Sequence, residues 1–138
     1  MDKLLYTKKS ENQKWGCGCA IIKDGKMLLG KRCKKNDLPQ WCFVGGSIEV
    51  GETPIDGVNR EIQEESNLTA LTVKFVDAYE KDNVIDFLFV CTDFVGDQKP
   101  QEGELSELGW FTIEEVKELP LFPYTIESLK ILEDKNII

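Results

Sequence analysis

With 138 residues, 41% of them apolar, and 25 acidic against 17 basic side chains, the chain carries a net charge of −8. That size suits one domain spanning residues 1–138 and built around one core, and the apolar content excludes a disordered chain. The acidic balance argues against a nucleic-acid polymer or an anionic membrane as main partner. It leaves room for a phosphorylated small molecule, provided a metal ion supplies positive charge.

Histidine is absent, which excludes Cys/His zinc sites and histidine-based triads. The cysteines, Cys17, Cys19, Cys33, Cys42 and Cys91, form an odd set without a CxxC pair and read as buried, reduced thiols. The opening residues lack a signal-peptide core, and no apolar run reaches membrane-spanning length. A cytoplasmic location is expected.

In chain order, the small apolar run from Gly16 to Lys23 suits a buried strand. Asp24-Gly25 favours a tight hairpin turn because both residues tolerate positive φ. Met27-Leu28-Leu29 begins the return strand, and Lys31 to Lys35 leaves it as a basic segment. Trp41 to Gly46 is a short strand ending in a glycine pair. Thr53 then caps a helix with Pro54 at its first position and Asp56 near its positive end. Ile55, Val58 and Ile62 form its apolar stripe, and Asn67 stops it. Leu71 to Tyr79 and Val84 to Phe94 read as a hairpin around Asp82-Asn83. Leu108 to Phe111 adds a short strand, and Thr112 to Glu118 a short helix capped by Thr112. The last helix, Tyr124 to Glu133, turns Ile126, Leu129 and Leu132 inward. A mixed α/β architecture follows, with helices on both faces of a mixed sheet.

On the first helix, Glu61, Glu64 and Glu65 stand at i, i+3 and i+4 and share one side. Charged helical runs are usually solvated faces, but here the apolar stripe holds the helix against a core and the preceding loop adds Glu49 and Glu52. Carboxylates so gathered suit a hard divalent cation, which prefers oxygen ligands. Arg60 adjoins Glu61 and reaches Glu64 by i, i+4 geometry, so it can orient a carboxylate.

The segment resembles the signature of the Nudix hydrolases, G-x5-E-x7-R-E-U-x-E-E-x-G-U with U a bulky aliphatic residue. Gly46, Glu52, Arg60, Glu61, Ile62, Glu64, Glu65 and Leu68 occupy its fixed positions, with Asn67 where the family has glycine. Asn and Gly both support a left-handed cap, so that departure is mild. Val44 stands where relatives commonly have proline. The order of strands, the late Trp110-Phe111 pair and the acidic short helix extend the similarity from about Trp15 to Glu133.

The resemblance implies the Nudix fold, an α/β/α sandwich around a mixed sheet, and a metal-dependent hydrolase in monomeric or homodimeric form. It implies that Glu64, Glu65 and Glu61, with the backbone carbonyl of Gly45, hold one to three Mg²⁺ or Mn²⁺ ions. Glu61 is general base, ligand or both, oriented by Arg60, while Glu52 supports the loop. A further carboxylate is expected before the late Trp; Glu102, Glu104 and Glu107 compete, and the six-residue spacing to Trp110 selects Glu104. Arg32 is placed to meet a phosphate or a base. Trp15, Trp41 and Phe122 offer rings for stacking on a base, although aromatic residues in small domains are more often core.

The favoured reaction is cleavage of a nucleoside diphosphate linked to another moiety, above all a nucleoside triphosphate giving a monophosphate and pyrophosphate. The alternatives are ADP-ribose or sugar-nucleotide cleavage, and a binding module without turnover. The loop Leu119 to Pro123 offers no Asn for reading an oxidised guanine.

Overall fold

The computed structural model describes residues 2–32 and 39–138. Cys33 and the basic stretch beyond Arg32 therefore lie outside the described residues. Turn chemistry organises the strands. Asp24 (φ 53°) and Gly25 (φ 75°) close the hairpin between β1 (Trp15–Lys23) and β2 (Lys26–Arg32). Asp82 (φ 52°) and Asn83 (φ 66°) do the same between β5 (Thr69–Lys81) and β6 (Val84–Val95). Positive φ at both central residues matches the twist of the flanking strands.

β6 lies parallel to β1, from Trp15 opposite Ile85 to Ile21 opposite Cys91. The other edge of β1 is shared. Gly16 to Cys19 pair antiparallel with β4 (Val44–Ser47), while Ile22 and Lys23 pair with β2. β2 in turn carries β3 (Gln40–Cys42) and β7 (Leu105–Phe111). The expected single strand from Trp41 to Gly46 is thus two short ones, each with a different partner. The chain changes partner at Phe43, whose N–H donates to Thr125 Oγ1 at 3.2 Å instead of to a strand. β7 starts three residues earlier than expected, because Leu105 pairs with Arg32 past an irregularity at Lys31/Arg32.

The strands alternate between two apolar layers, as period-two geometry requires. Cys17, Cys19, Ile21, Phe87, Phe89 and Cys91 meet Val58 and Ile62 of α1 (Pro54–Ser66) on one face. Ala20, Met27, Leu29 and Leu88 meet Val116 of α2 (Ile113–Lys117) and Leu129 and Leu132 of α3 (Pro123–Asp134) on the other. The expected mixed sheet flanked by helices is observed. Among the described residues no helix is long and apolar enough to cross a membrane. Cys17, Cys19, Cys42 and Cys91 are free and buried. Burial pushes the Cys42 thiol up to about 12, so it stays protonated and unreactive at neutral pH.

The helix ends follow the sequence. Thr53 Oγ1 accepts from Asp56 N–H at 3.2 Å while Asp56 Oδ2 accepts from Thr53 N–H at 3.1 Å, a reciprocal capping box. Thr112 and Glu115 repeat the device on α2. Two inward assignments are corrected. Ile55 is 38% exposed, because α1 makes its close approach at Gly57, where a Cβ would lie 3.0 Å from Ile48, and Ile55 precedes that contact. Ile126 is 40% exposed, and Thr125, Ser128, Leu129 and Leu132 are buried instead. A period of 3.6 allows either residue beside Leu129 to face inward, and the Phe43 hydrogen bond draws Thr125 in.

Asn67 ends α1 in the left-handed region (φ 63°), and its Nδ2 donates to Asp97 O at 3.0 Å. Asn67→Ala should lower unfolding free energy by about 1–2 kcal/mol in urea titration, and Asn67→Gly by less. Equal urea midpoints for the two variants would remove left-handed strain as the reason for Asn at this position.

Candidate active site

The acidic helix is held beside β4 by the absence of side chains. A Cβ on Gly45 would sit 2.1 Å from the Cys17 carbonyl oxygen, and one on Gly46 would sit 2.7 Å from the Glu61 carboxyl. Real Cβ contacts are never so short, so the glycine pair lets β4 pass between β1 and the carboxylates of α1. A cleft of about 600 Å³ opens there. Glu61, Glu64 and Glu65 line it from α1, Arg32 from β2, Glu104 from the loop before β7, and Phe122 from the start of α3.

Arg60 stands behind this wall and organises it. Its Nε and Nη2 hold both oxygens of Glu52, at 2.8 and 3.1 Å. Nη1 donates to Glu61 Oε1 at 2.7 Å and to Glu64 Oε1 at 2.9 Å, and Nη2 donates to Ser47 O at 2.9 Å. Glu49 adds a longer ion pair at 3.8 Å. The Arg60 hydrogen bonds hold Glu52 below the usual carboxylate range. Burial pushes Glu61 up, against the pull of Arg60. Burial also pushes Glu65 up to about 7; Gly45 N–H and Arg32 oppose this, while Glu61 and Glu104 reinforce it. On the cleft side Arg32 offsets only part of the cost of gathering these desolvated carboxyls.

The donor set fits an oxygen-ligated divalent cation by residue type and by face. It is not gathered around one point: among the described residues no three carboxyl or thiol groups stand at ligating distance of a common centre. The reason is visible in the partners. Glu64 is turned onto Arg60, and Glu65 Oε1 accepts from Gly45 N–H at 2.7 Å. Gly45 thus meets Glu65 through its N–H, whereas the expectation concerned its carbonyl.

Of the competing loop carboxylates, Glu104 lines the cleft, Glu107 pairs with Lys31 Nζ at 3.5 Å, and Glu102 is exposed outside it. Arg32 lies over the Phe122 ring, its Cζ 4.1 Å from the centroid, and Phe122 stacks on Tyr124 at 5.7 Å. Trp15 lines the cleft, though it is mostly core. Trp41 does not join them. The residue is 8% exposed, and its ring packs edge-on against Phe111 at 5.0 Å. Alternation along β3 turns Trp41 to the α3 layer and Cys42 to the cleft. Trp41 acts through its backbone, donating to Pro120 O at 2.8 Å and accepting from Phe122 N–H at 2.9 Å, which fixes the Phe122 backbone at the cleft.

Sequence reading passed over two cleft residues. Lys8 is buried, and its Nζ donates to Ile48 O at 2.9 Å; no local pattern marks it. Asp86 lies inside the apolar run Val84 to Val90, and a carboxylate in such a strand was a signal in itself.

A family model described as the NUDIX domain matches residues 13–134. The CTP pyrophosphohydrolase of Escherichia coli (strain K12) is 30% identical over 115 residues, covering 80% of this chain and 84% of that protein. A MutT-like protein of Streptomyces ambofaciens is 28% identical over 84% of this chain and 74% of its own length. Among solved structures, the MutT NUDIX hydrolase from Burkholderia pseudomallei superposes with a TM-score of 0.79 at 26% identity, covering 88% of this chain and 99% of that one. With the carboxylate helix, its arginine and its glycine pair where the signature requires them, the chain belongs to the NUDIX family and is a Nudix-type pyrophosphohydrolase.

Proposed function

We propose that the chain hydrolyses nucleoside triphosphates to a nucleoside monophosphate and pyrophosphate, with Mg²⁺ or Mn²⁺ held by Glu61, Glu64 and Glu65 and aided by Glu104. The observation that carries this reading is the division of one cleft between a carboxylate wall and an Arg32–Phe122 pair. The first suits a cation that takes polyphosphate, and the second suits a phosphate or base beside it. The CTP pyrophosphohydrolase relative supports the triphosphate branch.

When bound, the ion supplies charge neutralisation at the phosphate oxygens and lowers the pKa of a nearby water. The chain's own residues do the rest. Glu61 is held by Arg60 through Oε1, which leaves Oε2 to take a proton or to ligate. Its raised pKa makes it a better proton acceptor than an exposed carboxylate. Arg60 stays charged throughout, because Glu52 and Glu61 raise its pKa further. Arg32 offers a cationic fork to a phosphate once it leaves the face of Phe122. Water adds to one phosphorus as the phosphoanhydride bond breaks, and pyrophosphate leaves with the departing oxygen.

The deciding measurement is product identification across nucleoside triphosphates, ADP-ribose and dinucleotides, each with and without Mg²⁺. Metal-dependent pyrophosphate release from triphosphates is expected; cleavage confined to ADP-ribose or dinucleotides would overturn the triphosphate assignment. Glu64→Gln removes a ligand charge from an exposed side chain, so kcat should fall by about a hundredfold or more while the melting temperature holds. Wild-type turnover by this variant would move the metal elsewhere. Mg²⁺ at about a hundred times its Kd should stabilise the native state by about 2.7 kcal/mol, read as a higher Tm. A Tm indifferent to millimolar Mg²⁺ would count against metal binding on α1.

A further inference from the structure

Asp86 belongs to none of the roles above, yet it lies in the same cleft. It sits on β6 opposite Gly16, which pairs on its other side with Ser47 of β4. Two strand spacings, roughly 10 Å, therefore separate Asp86 from the β4 backbone beside the carboxylate helix. Only a glycine fits between, because a Cβ on Gly16 would lie 2.9 Å from Asp86 Oδ1. Asp86 is 8% exposed, and its opening is toward the cleft.

The polar partners of Asp86 are in short supply. The Tyr79 hydroxyl is its hydrogen-bonding neighbour. That hydroxyl has one proton, and it donates to Tyr124 O at 2.9 Å while Ser128 Oγ lies at 3.0 Å. That one proton is divided between Tyr124 O and Asp86, so Tyr79 does not saturate the carboxylate. A carboxylate accepts up to about four hydrogen bonds, so Asp86 keeps acceptor capacity for a ligand. Burial pushes its pKa up to about 6, with the Tyr79 hydroxyl pulling it back, so it is mainly ionised at neutral pH.

A triphosphate chain is drawn to a metal on α1, across β4 from Asp86, which leaves the base for the Asp86 end. The surroundings suit a flat heterocycle: Val84, Trp15 and the stacked Phe122–Tyr124 pair all line the cleft. We propose that Asp86 is the base-reading residue, its carboxylate accepting two hydrogen bonds from an amino group and an adjacent ring N–H, the edge that guanine presents. Thymine and uracil offer one N–H between two carbonyl oxygens, which a carboxylate repels. This inference rests on the triphosphate reading for its orientation of the substrate.

The test changes the base before it changes the protein. Wild-type kcat/KM with Mg²⁺ should be about tenfold higher for dGTP than for dITP, which lacks only the 2-amino group. Asp86→Asn keeps an acceptor for Tyr79 but adds a donor. It should bring the dGTP/dITP ratio toward one and raise dTTP relative to dGTP, while melting shows whether the variant folds. Equal wild-type rates for dGTP and dITP overturn the assignment even if the variant does not fold, and so does an unchanged ratio in a folded variant. Calorimetric binding of dGMP and dIMP separates this inference from the triphosphate reading. If no triphosphate is cleaved, that reading fails, while tighter binding of dGMP keeps Asp86 as the reader and equal or absent binding removes it.

Discussion

The guanidinium of Arg60 is the interaction on which the rest of the site depends. Glu52, Glu61 and Glu64 point into one small region, and each would repel the others without a cation among them. A lysine would place a single charge at one point. The planar fork of arginine engages Glu52 with two donors and still reaches Glu61, Glu64 and the Ser47 carbonyl. Arg60 thereby ties the loop after β4 to the helix that follows it. Because Glu64 is largely exposed, its share of the network is screened and weak, whereas Glu52 and Glu61 are the enclosed partners.

This arrangement also explains why the carboxylates are not already grouped around a metal centre. In the state described, arginine is their counter-charge. On the proposed metal-dependent reading, a divalent ion would compete for Glu64, the most exposed of the Arg60 partners on α1, and for Glu65, which is turned toward Gly45 N–H. Glu52 could stay with Arg60, and Glu61 could keep it through Oε1, so that uptake of the proposed ion would leave the loop tied to the helix. The glycines serve the same end. Gly45 and Gly46 carry no side chain that could separate sheet from helix, and Gly57 lets α1 settle onto Ile48.

The residues proposed to choose the substrate come from parts of the fold distant in sequence. Arg32 from β2, Phe122 from the start of α3 and Asp86 from β6 meet at one cleft because β1 pairs with β4 on one edge and with β6 on the other. Trp41 shows how such assembly redistributes roles. It reads as a stacking ring, yet its side chain supports the core under α3 while its backbone holds Phe122 at the cleft.

Local chemistry made much of this legible in advance. The Asp-Gly and Asp-Asn turns, the Thr53 and Thr112 caps, the Asn67 stop and the carboxylate face of α1 each depend on neighbours within a few residues, so the chain alone determined them. The Nudix signature, with its Arg60 and its glutamates, is contained in that same short span. Tertiary structure alone decided the partner change at Phe43, the inward turn of Thr125 in place of Ile126, the withdrawal of Trp41 and the arrival of Asp86 at the cleft. The physical reason is range. A turn or a cap is settled by torsion angles and hydrogen bonds along the backbone, whereas which side of a strand meets a helix or a cleft is settled only when distant strands pair and fill the space between them.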